Sequence, residues 1–213
     1  MTLKEKLSQF IGSESESDLS SKFNDLADNF LYGGYIQVRN EYRIYIQTVE
    51  FYFHSEKEDG IKDPIVYHRN RNGLDEVPYF PLMTLHAHIS GFDITFENPT
   101  LQFRASALIR AYEIKSKDGK YLYWNVSKKA FEKSDTYKCN TQSTYLYSFL
   151  NGFALTDKAE TPEQQITWID SPREKHIDFQ PKERRNVSRV EKKYEYKENE
   201  RSRKWSFSRK DIV

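Results

Sequence analysis

The stretch YIQVRNEYRIYIQTVEFYF, from Tyr35 to Phe53, alternates apolar and polar residues on both sides of Asn40-Glu41. Successive side chains of a β-strand point to opposite faces of the sheet, so alternation with period two is typical of a strand that buries one face. Two such runs around a short polar turn predict a β-hairpin or a pair of neighbouring strands. We therefore expect paired strands over this stretch.

Helices and further strands are predicted on either side of it. Residues 21–31 (SKFNDLADNFL) carry apolar side chains at helical spacing, which predicts a helix that Ser20 or Ser21 caps and that ends at Gly33-Gly34. Residues 83–98 alternate and residues 103–115 are almost continuously apolar, which predicts two more strands. The other predictions are a tail or one short helix at 1–20, a short strand or helix at 120–126, a helix from Ser143 up to Gly152, an irregular segment at 157–180 and a closing hairpin in the last forty residues.

The composition predicts one globular domain with a charged surface. A chain of 213 residues is long enough for one sizeable core, and its aromatic share of 15% supplies much buried area. The single Cys139 excludes an internal disulfide, and no apolar run has the length of a membrane span or the pattern of a signal peptide. We therefore expect a cytoplasmic protein with no membrane partner.

Charge is distributed unevenly along the chain, although the formal net charge is only +1. Residues 171–213 hold fourteen Lys or Arg against eight Asp or Glu, so the rest of the chain is net negative. A basic end on an acidic protein is one signature of nucleic-acid binding. The acids interleaved in KKYEYKENERSRK (192–204) are equally typical of a solvated charged face, so both interpretations stay open.

Side chains suited to catalysis occur near the end of the second predicted strand. Glu50, Tyr52 and His54 share one strand face because they are two residues apart. The segment 56–79 is rich in charge, Gly, Pro and Asn, so it predicts a long surface loop, and it carries His68. A carboxylate beside aromatic rings in a cleft can have its pKa set by burial and act as a general base.

The order of these residues resembles the alkyladenine (3-methyladenine) DNA glycosylase family. RIYIQTVEFYF (43–53) followed by DPIVYHR (63–69) is similar to the family's strand ending in Glu-Thr-Glu-Ala-Tyr, which an acidic loop and a histidine follow. ASALIRAYEI (105–114) is similar to the family's Val-Leu-Leu-Arg-Ala-Leu-Glu-Pro strand, and TLHAHISGFDITFEN (84–98) occupies the place of its Tyr-rich strand. The colinear order of these and neighbouring segments carries the resemblance along most of the chain.

The resemblance implies a fold, a domain layout and a reaction. The fold is α+β, a single domain with a curved, mainly antiparallel β-sheet flanked by helices. The glycosylase-like domain is expected at 21–213, after the tail or short helix at 1–20. The reaction is base-excision repair of double-stranded DNA, in which an activated water hydrolyses the glycosidic bond of an alkylated or damaged purine without cofactor or metal. Such an enzyme flips the base into a pocket lined with stacking rings. The resemblance further implies a monomer that, in a bacterium, is associated with the nucleoid.

The resemblance also implies roles for individual residues. Glu50 matches the general base that activates the water, and Arg110 matches the strand arginine that helps to hold that water. Tyr52 matches one aromatic wall of the base pocket. His68 matches the loop histidine that contacts the flipped nucleotide, and His54 is the other candidate for that position.

The sequence departs from the family pattern inside the expected pocket. The opposite wall, a tyrosine in the family, falls on His88, and the wedge tyrosine before Gly91 is missing, with Ser90 in its place. The asparagine that borders the pocket falls on Glu97 by spacing, or on Asn98 if the strand bulges. These departures favour an alternative function, that of a non-catalytic relative that binds nucleic acid or another ligand.

Structural and metal-binding interpretations compete with both hypotheses. Arg110 lies in an apolar strand and, because an unpaired buried charge is very costly, must pair with a carboxylate such as Glu50 or Glu97 whether or not the site is catalytic. His86 and His88 form an HxH pair on one strand face that could hold zinc or iron, with His54, His68 or Glu50 as a further ligand.

Overall fold

A computed structural model of the protein describes residues 1–66, 68–70, 76–88, 91–151, 166–174, 180–184 and 203–209. The helices are α1 (Leu3–Ser8), α2 (Glu16–Tyr32) and α3 (Ser143–Asn151). The strands are β1 (Gly34–Val38), β2 (Tyr42–Ser55), β3 (Leu85–His88), β4 (Gly91–Thr95), β5 (Phe103–Ser116), β6 (Tyr121–Asn125), β7 (Ala130–Ser134), β8 (Ile166–Asp170) and β9 (Ser206–Ser208).

The strands form one antiparallel sheet that curls into a half-barrel. Its main path runs β3-β4-β5-β2-β1-β8, while β6 and β7 extend from β5, and β9 lies beside β2. With the helices it makes a single α+β domain, so the expected fold class is confirmed.

The stretch from Tyr35 to Phe53 lies at the centre of this sheet. β1 and β2 pair with Val38 opposite Tyr42, so the hairpin predicted around Asn40-Glu41 is confirmed. β2 continues past β1 and pairs with β5 as far as Ser55. The strand predicted at 103–115 is likewise confirmed as β5.

Helix α2 covers the apolar face of the sheet. Phe23 stacks on Phe51 of β2, with 4.7 Å between the ring centroids. The helix begins at Glu16, before the predicted start near Ser21. It begins earlier because the preceding residues supply Leu19, which is fully buried, and acidic side chains in the first turn, which complement the helix dipole. Among the described residues, no helix combines the length and the apolar content of a membrane span.

The first ten residues also join the core. Thr2 and Glu5 form a capping box that begins α1. Leu3, Leu7 and Phe10 are buried, so α1 packs against the rest of the domain rather than trailing from it.

Residues 166–170, predicted to be irregular, form strand β8 instead. This strand pairs with β1 from Val38 opposite Ile166 to Gly34 opposite Asp170. Trp168 packs against the core. A run of five residues is too short for its pattern to predict a strand. These residues become a strand because the edge of β1 offers unpaired backbone N–H and C=O groups for hydrogen bonding.

Residues 83–98, predicted as one strand, form the β3–β4 hairpin. His88 lies opposite Gly91, where the chain has reversed. The φ angle of Gly91 is +145°, which only glycine adopts readily, and a Cβ atom there would collide with Ser143. The alternation over 83–98 predicted a continuous strand through this glycine, and that prediction was wrong.

The remaining predictions have mixed outcomes. The segment at 120–126 forms strand β6. Strand β7, which was not predicted, pairs with β6, and the helix predicted from Ser143 is confirmed as α3.

Of the closing hairpin, the structure describes 203–209, which include β9; the other residues of that prediction lie mainly outside the described ranges. In its described part the segment 56–79 has no helix or strand, and it covers the sheet with buried residues such as Asp63, Val66 and His68.

Candidate active site

Strand β2 divides its side chains between the core and a second face, which we call the polar face. Phe51 and its alternate neighbours point into the core. Glu50, Tyr52 and His54 therefore point to the opposite face, as the alternation predicted.

Glu50, Tyr52 and Arg110 form a buried cluster on the polar face. Nε of Arg110 donates to Oε2 of Glu50 at 2.7 Å, and the Tyr52 hydroxyl donates to the same oxygen at 2.9 Å. Nη2 of Arg110 also donates to the Tyr52 hydroxyl oxygen at 3.3 Å. The Glu50 side chain is 0% exposed and that of Arg110 is 14% exposed. Arg110 thus pairs with Glu50, one of the two carboxylates predicted for it.

The pairing of β2 with β5 is irregular next to Arg110. The register shifts twice between Ile46 and Val49, and the extra residues are Gln47 on β2 and Arg110 on β5. A β-bulge bends a strand and re-aims its side chains, and bulges are common beside functional sites. Leu108 lies opposite Glu50, so Arg110, two residues further along β5, shares the polar face with Glu50 by alternation, and the bulge lies beside this pair.

Burial and charge fix the protonation of the two groups that contact Glu50. Burial, with the Glu50 charge, raises the pKa of Tyr52 well above its ordinary value, so the phenol keeps its proton. Burial lowers the pKa of Arg110, but Tyr52 and Glu50 outweigh this effect and the pKa lies above its ordinary value. Glu50 therefore faces a neutral donor and a permanent cation.

A second buried cluster on the polar face is centred on Arg104. The guanidinium donates to Glu56 at 3.0 Å and to Glu97 at 3.2 Å, and Nδ1 of His68 contacts the other oxygen of Glu97. Cζ of Arg104 also lies 3.6 Å from the centre of the Tyr79 ring. This Arg104 cluster anchors the segment that follows β2 onto strand β5.

The structure separates the two residues predicted to border the pocket. Glu97 lies in the Arg104 cluster with His68, whose side chain is buried. Asn98 lies in a turn, where its Oδ1 accepts the backbone N–H of Leu101 and its backbone bridges Phe103. Asn98 therefore shapes the turn, and the structure does not bring it to the cluster.

His54 lies beside the Arg104 cluster and ties the strand to the loop. Its Nδ1 accepts the backbone N–H of Asp63 at 3.0 Å, and its Nε2 lies 4.0 Å from an oxygen of Glu56. Burial lowers the pKa of His54 to about 4, so the imidazole is neutral at pH 7. Both candidates for the loop histidine are therefore held by contacts inside the protein, His54 by the Asp63 backbone and His68 by Glu97.

Arg184, which the sequence analysis did not single out, covers the Tyr52 ring. Its Cζ lies 4.7 Å from the centre of that ring and 5.1 Å from the centre of the Trp205 ring. Its two Nη atoms donate to the two carboxylate oxygens of Asp63, at 2.5 and 3.3 Å. Sequence alone does not separate Arg184 from the other basic residues near the end of the chain, because Asp63 lies 121 residues away.

Two other predicted positions lie at the β3–β4 hairpin. Of His88 the structure describes only the backbone, at the end of β3, and Ser90 lies outside the described residues. The His86 ring contacts Phe80, with 4.4 Å between centroids. In the part of the chain that the structure describes, no three His, Cys, Asp or Glu side chains are arranged to hold a metal ion.

The Tyr52 ring, expected to form one wall of an open hollow, is covered in this structure. Tyr52 is only 7% exposed, and it packs with Val66 and Leu108 on the polar face while Arg184 lies over its ring. Two cavities lined by described residues, of about 320 and 440 Å³, lie elsewhere, against α1 and α2 and at the turn ends of β2 and β5. Stacking of a base on Tyr52 therefore requires a side chain to move.

Comparison of the chain with protein-family models, with curated proteins and with solved structures returns no match. Functional inference therefore depends on the site itself. A buried carboxylate held by a guanidinium can act as a general base, and the same pair can also serve only to neutralise two buried charges.

Proposed function

We propose that the protein is a DNA glycosylase-like enzyme of base-excision repair that hydrolyses the glycosidic bond of a flipped alkylated or damaged purine. One observation carries the proposal. The Glu50 carboxylate is buried and accepts hydrogen bonds from both Arg110 and Tyr52. These are the three residues for which the resemblance implied a water-activating base, an arginine that holds the water and a stacking wall.

In the proposed mechanism Glu50 accepts the proton of the water that attacks the sugar carbon, while the glycosidic C–N bond breaks and the purine leaves with the bonding electron pair. A purine that carries the positive charge of N-alkylation leaves as a neutral base and needs no added proton. Arg110 and Tyr52 bind the same carboxylate oxygen and so restrict its rotation, which holds the base in one orientation relative to the water. The ring of Tyr52 stacks against the extruded base. Stacking contributes roughly 1 to 3 kcal/mol per base, which offsets an unstacking cost of a few kcal/mol that is smallest for damaged bases.

The direct test is release of free base from duplex DNA that carries one methylated or deaminated purine. We expect the wild-type protein to release the base and Glu50→Gln to be at least about a hundredfold slower, since general-base catalysis contributes on the order of 10² to 10⁴. Gln keeps the shape of the side chain and can still accept hydrogen bonds from Arg110 and Tyr52.

Glu132→Gln is the matched control, because it removes a hydrogen-bonded carboxylate on β7, far along the chain from Glu50. Thermal unfolding of each variant shows whether it is folded. Equal inactivity of the wild type and Glu50→Gln on every lesion would contradict the proposal, and so would equal activity.

A non-catalytic binding protein is the second candidate. The covered Tyr52 ring and the pairing of Glu50 with Arg110 favour it, because both are what a purely structural cluster requires. DNA binding that weakens steeply with salt but releases no base would support this candidate, since phosphate contacts alone give that salt dependence.

A further inference from the structure

Arg184 lies in a slot whose chemistry suits a planar cation. The slot has the Tyr52 ring as its wall and the Asp63 carboxylate as its counter-charge, and the side chains of both Arg184 and Asp63 are fully buried. A guanidinium is planar, delocalised and rich in N–H donors, and cations within about 6 Å of a ring centre are attracted to the ring. The Arg184 guanidinium therefore matches both the ring and the carboxylate of the slot.

The same properties fit a ligand from outside the chain. An N-alkylated purine is also a planar, delocalised cation with N–H groups at its edge, and it can stack on a tyrosine ring. Such a ligand and the Arg184 guanidinium cannot occupy the same face of the Tyr52 ring together. Binding of the ligand on that face therefore requires Arg184 to leave.

We propose that Arg184 is an internal ligand of the Tyr52 ring, in the place that a planar cationic heterocycle takes when it binds with Asp63 as its counter-charge. The choice of a purine as that heterocycle rests on the proposed function. The arrangement makes the slot self-covering, since the chain supplies its own cation whenever the ligand is absent.

Asp63 gives the slot a preference for charged ligands. A neutral ligand that displaces Arg184 removes the bidentate partner of the buried Asp63 carboxylate and puts no charge in its place. The loss of that pairing is strongly unfavourable. Nη1 of Arg203 lies 4.0 Å from Asp63 and compensates for only part of that loss, because Arg203 is bound to Glu16 and to the backbone of Lys62. A cationic ligand restores the pairing of charges.

Binding of nucleosides to the full-length protein tests the proposal. The probes are 1-methyladenosine, which is cationic at pH 7, and adenosine, which is neutral, each titrated by calorimetry. We expect Arg184→Ala to bind 1-methyladenosine at least about tenfold more tightly than the wild type does, and adenosine much more weakly. In Asp63→Asn/Arg184→Ala the preference for the cation should disappear.

Arg173→Ala is the matched control. Arg173 is another arginine that lies over a tyrosine ring, with its Cζ 4.5 Å from the centre of the Tyr45 ring, and its Nη2 donates to the backbone carbonyl oxygen of Leu31. Its removal should therefore leave the affinity for 1-methyladenosine close to that of the wild type.

A second measurement needs no variant and decides the question even if Arg184→Ala fails to fold. Butanedione modifies exposed arginines, and mass spectrometry locates the modified residue. We expect 1-methyladenosine to raise the rate of modification of Arg184 severalfold in the wild-type protein and to leave that of Arg173 unchanged.

Two results would overturn the proposal: no binding of 1-methyladenosine by folded Arg184→Ala, or modification of Arg184 that does not respond to the nucleoside. Neither readout involves release of a base from DNA. Failure of the repair function and failure of the internal-ligand proposal are therefore separate outcomes.

Discussion

Glu50 and Asp63, two buried carboxylates near Tyr52, are each paired with an arginine. Glu50 is bound by Arg110, and Asp63 is bound by Arg184 through both of its oxygens. Removal of one member of such a buried pair costs roughly 3 to 5 kcal/mol, because the other charge is left in a poorly solvated place. Burial of Glu50 is therefore explained by its pairing alone, and only its use as a base distinguishes a catalytic role from a structural one.

His54 makes the stability of the protein depend on pH. Its pKa is about 4 in the folded protein and near 6.5 in the unfolded chain, so between these values the unfolded state binds a proton that the folded state does not. Stability should therefore fall as the pH drops from about 6.5 to about 4, by on the order of 3 kcal/mol from this group.

Urea denaturation at several pH values measures this effect. The comparison is with His54→Asn, which keeps a hydrogen-bond acceptor near the Asp63 backbone N–H and removes the titration. As the pH falls from 6.5 to 4, the free energy of unfolding should decrease less in the variant than in the wild type. Parallel curves for the two proteins would show that the His54 ring does not resist protonation in the folded state.

The long strands β2 and β5 carry both clusters, and the loop after β2 closes over them. The Arg110 end of the pairing contains the register shifts, whereas the other end holds Arg104 beneath the loop. Arg104 also donates to the backbone carbonyl oxygens of Val77 and Pro78. One guanidinium thus connects β5 with two separate parts of the loop.

Arg104→Lys should release that loop while keeping the charge. A lysine presents its donors on a single nitrogen and cannot reach both carboxylates and both carbonyl oxygens at once. Each buried group left unpaired costs about 1 to 3 kcal/mol, so we expect a loss of several kcal/mol in stability and faster proteolysis within 56–80.

Limited proteolysis with mass-spectrometric mapping tests this prediction. Arg43→Lys, at an exposed position on β2, serves as the control and should be cleaved like the wild type. If the 56–80 segment of Arg104→Lys resists proteolysis as well as that of the wild type does, other contacts hold the loop.

The two ends of the described chain meet beside the sheet. β9 pairs with β2, the Trp205 indole N–H donates to Ser20 of α2, and Arg203 binds Glu16 at the start of the same helix. Trp205 is buried and packs edge-on against Phe23. The segment 203–209 therefore belongs to the core although it is far from α2 in sequence.

A chain that ends before Arg203 should not fold stably. Loss of a buried tryptophan alone costs roughly 3 to 5 kcal/mol, and a typical domain has only about 5 to 15 kcal/mol of total stability. Near-ultraviolet circular dichroism and urea denaturation check this expectation. The control chain ends after Arg209, keeps β9 and should unfold cooperatively, and a cooperative transition in the shorter chain as well would refute the prediction.

The hairpin at 35–53, the polar face with Glu50 and Tyr52, and the presence of α2 and α3 could all be predicted from the order of residues. These features follow from the direction of successive side chains along a strand or helix, which is a local property of the backbone. The meeting of Glu50 with Arg110 was also predicted, through the need of a buried arginine for a partner and through the resemblance. Other features depend on long-range contacts: β8 pairs with the edge of β1, Arg104 and Arg184 bind partners far away in sequence, and Arg184 covers the Tyr52 ring. Pairing across such separations depends on how the whole chain packs, and no local pattern of residues records it.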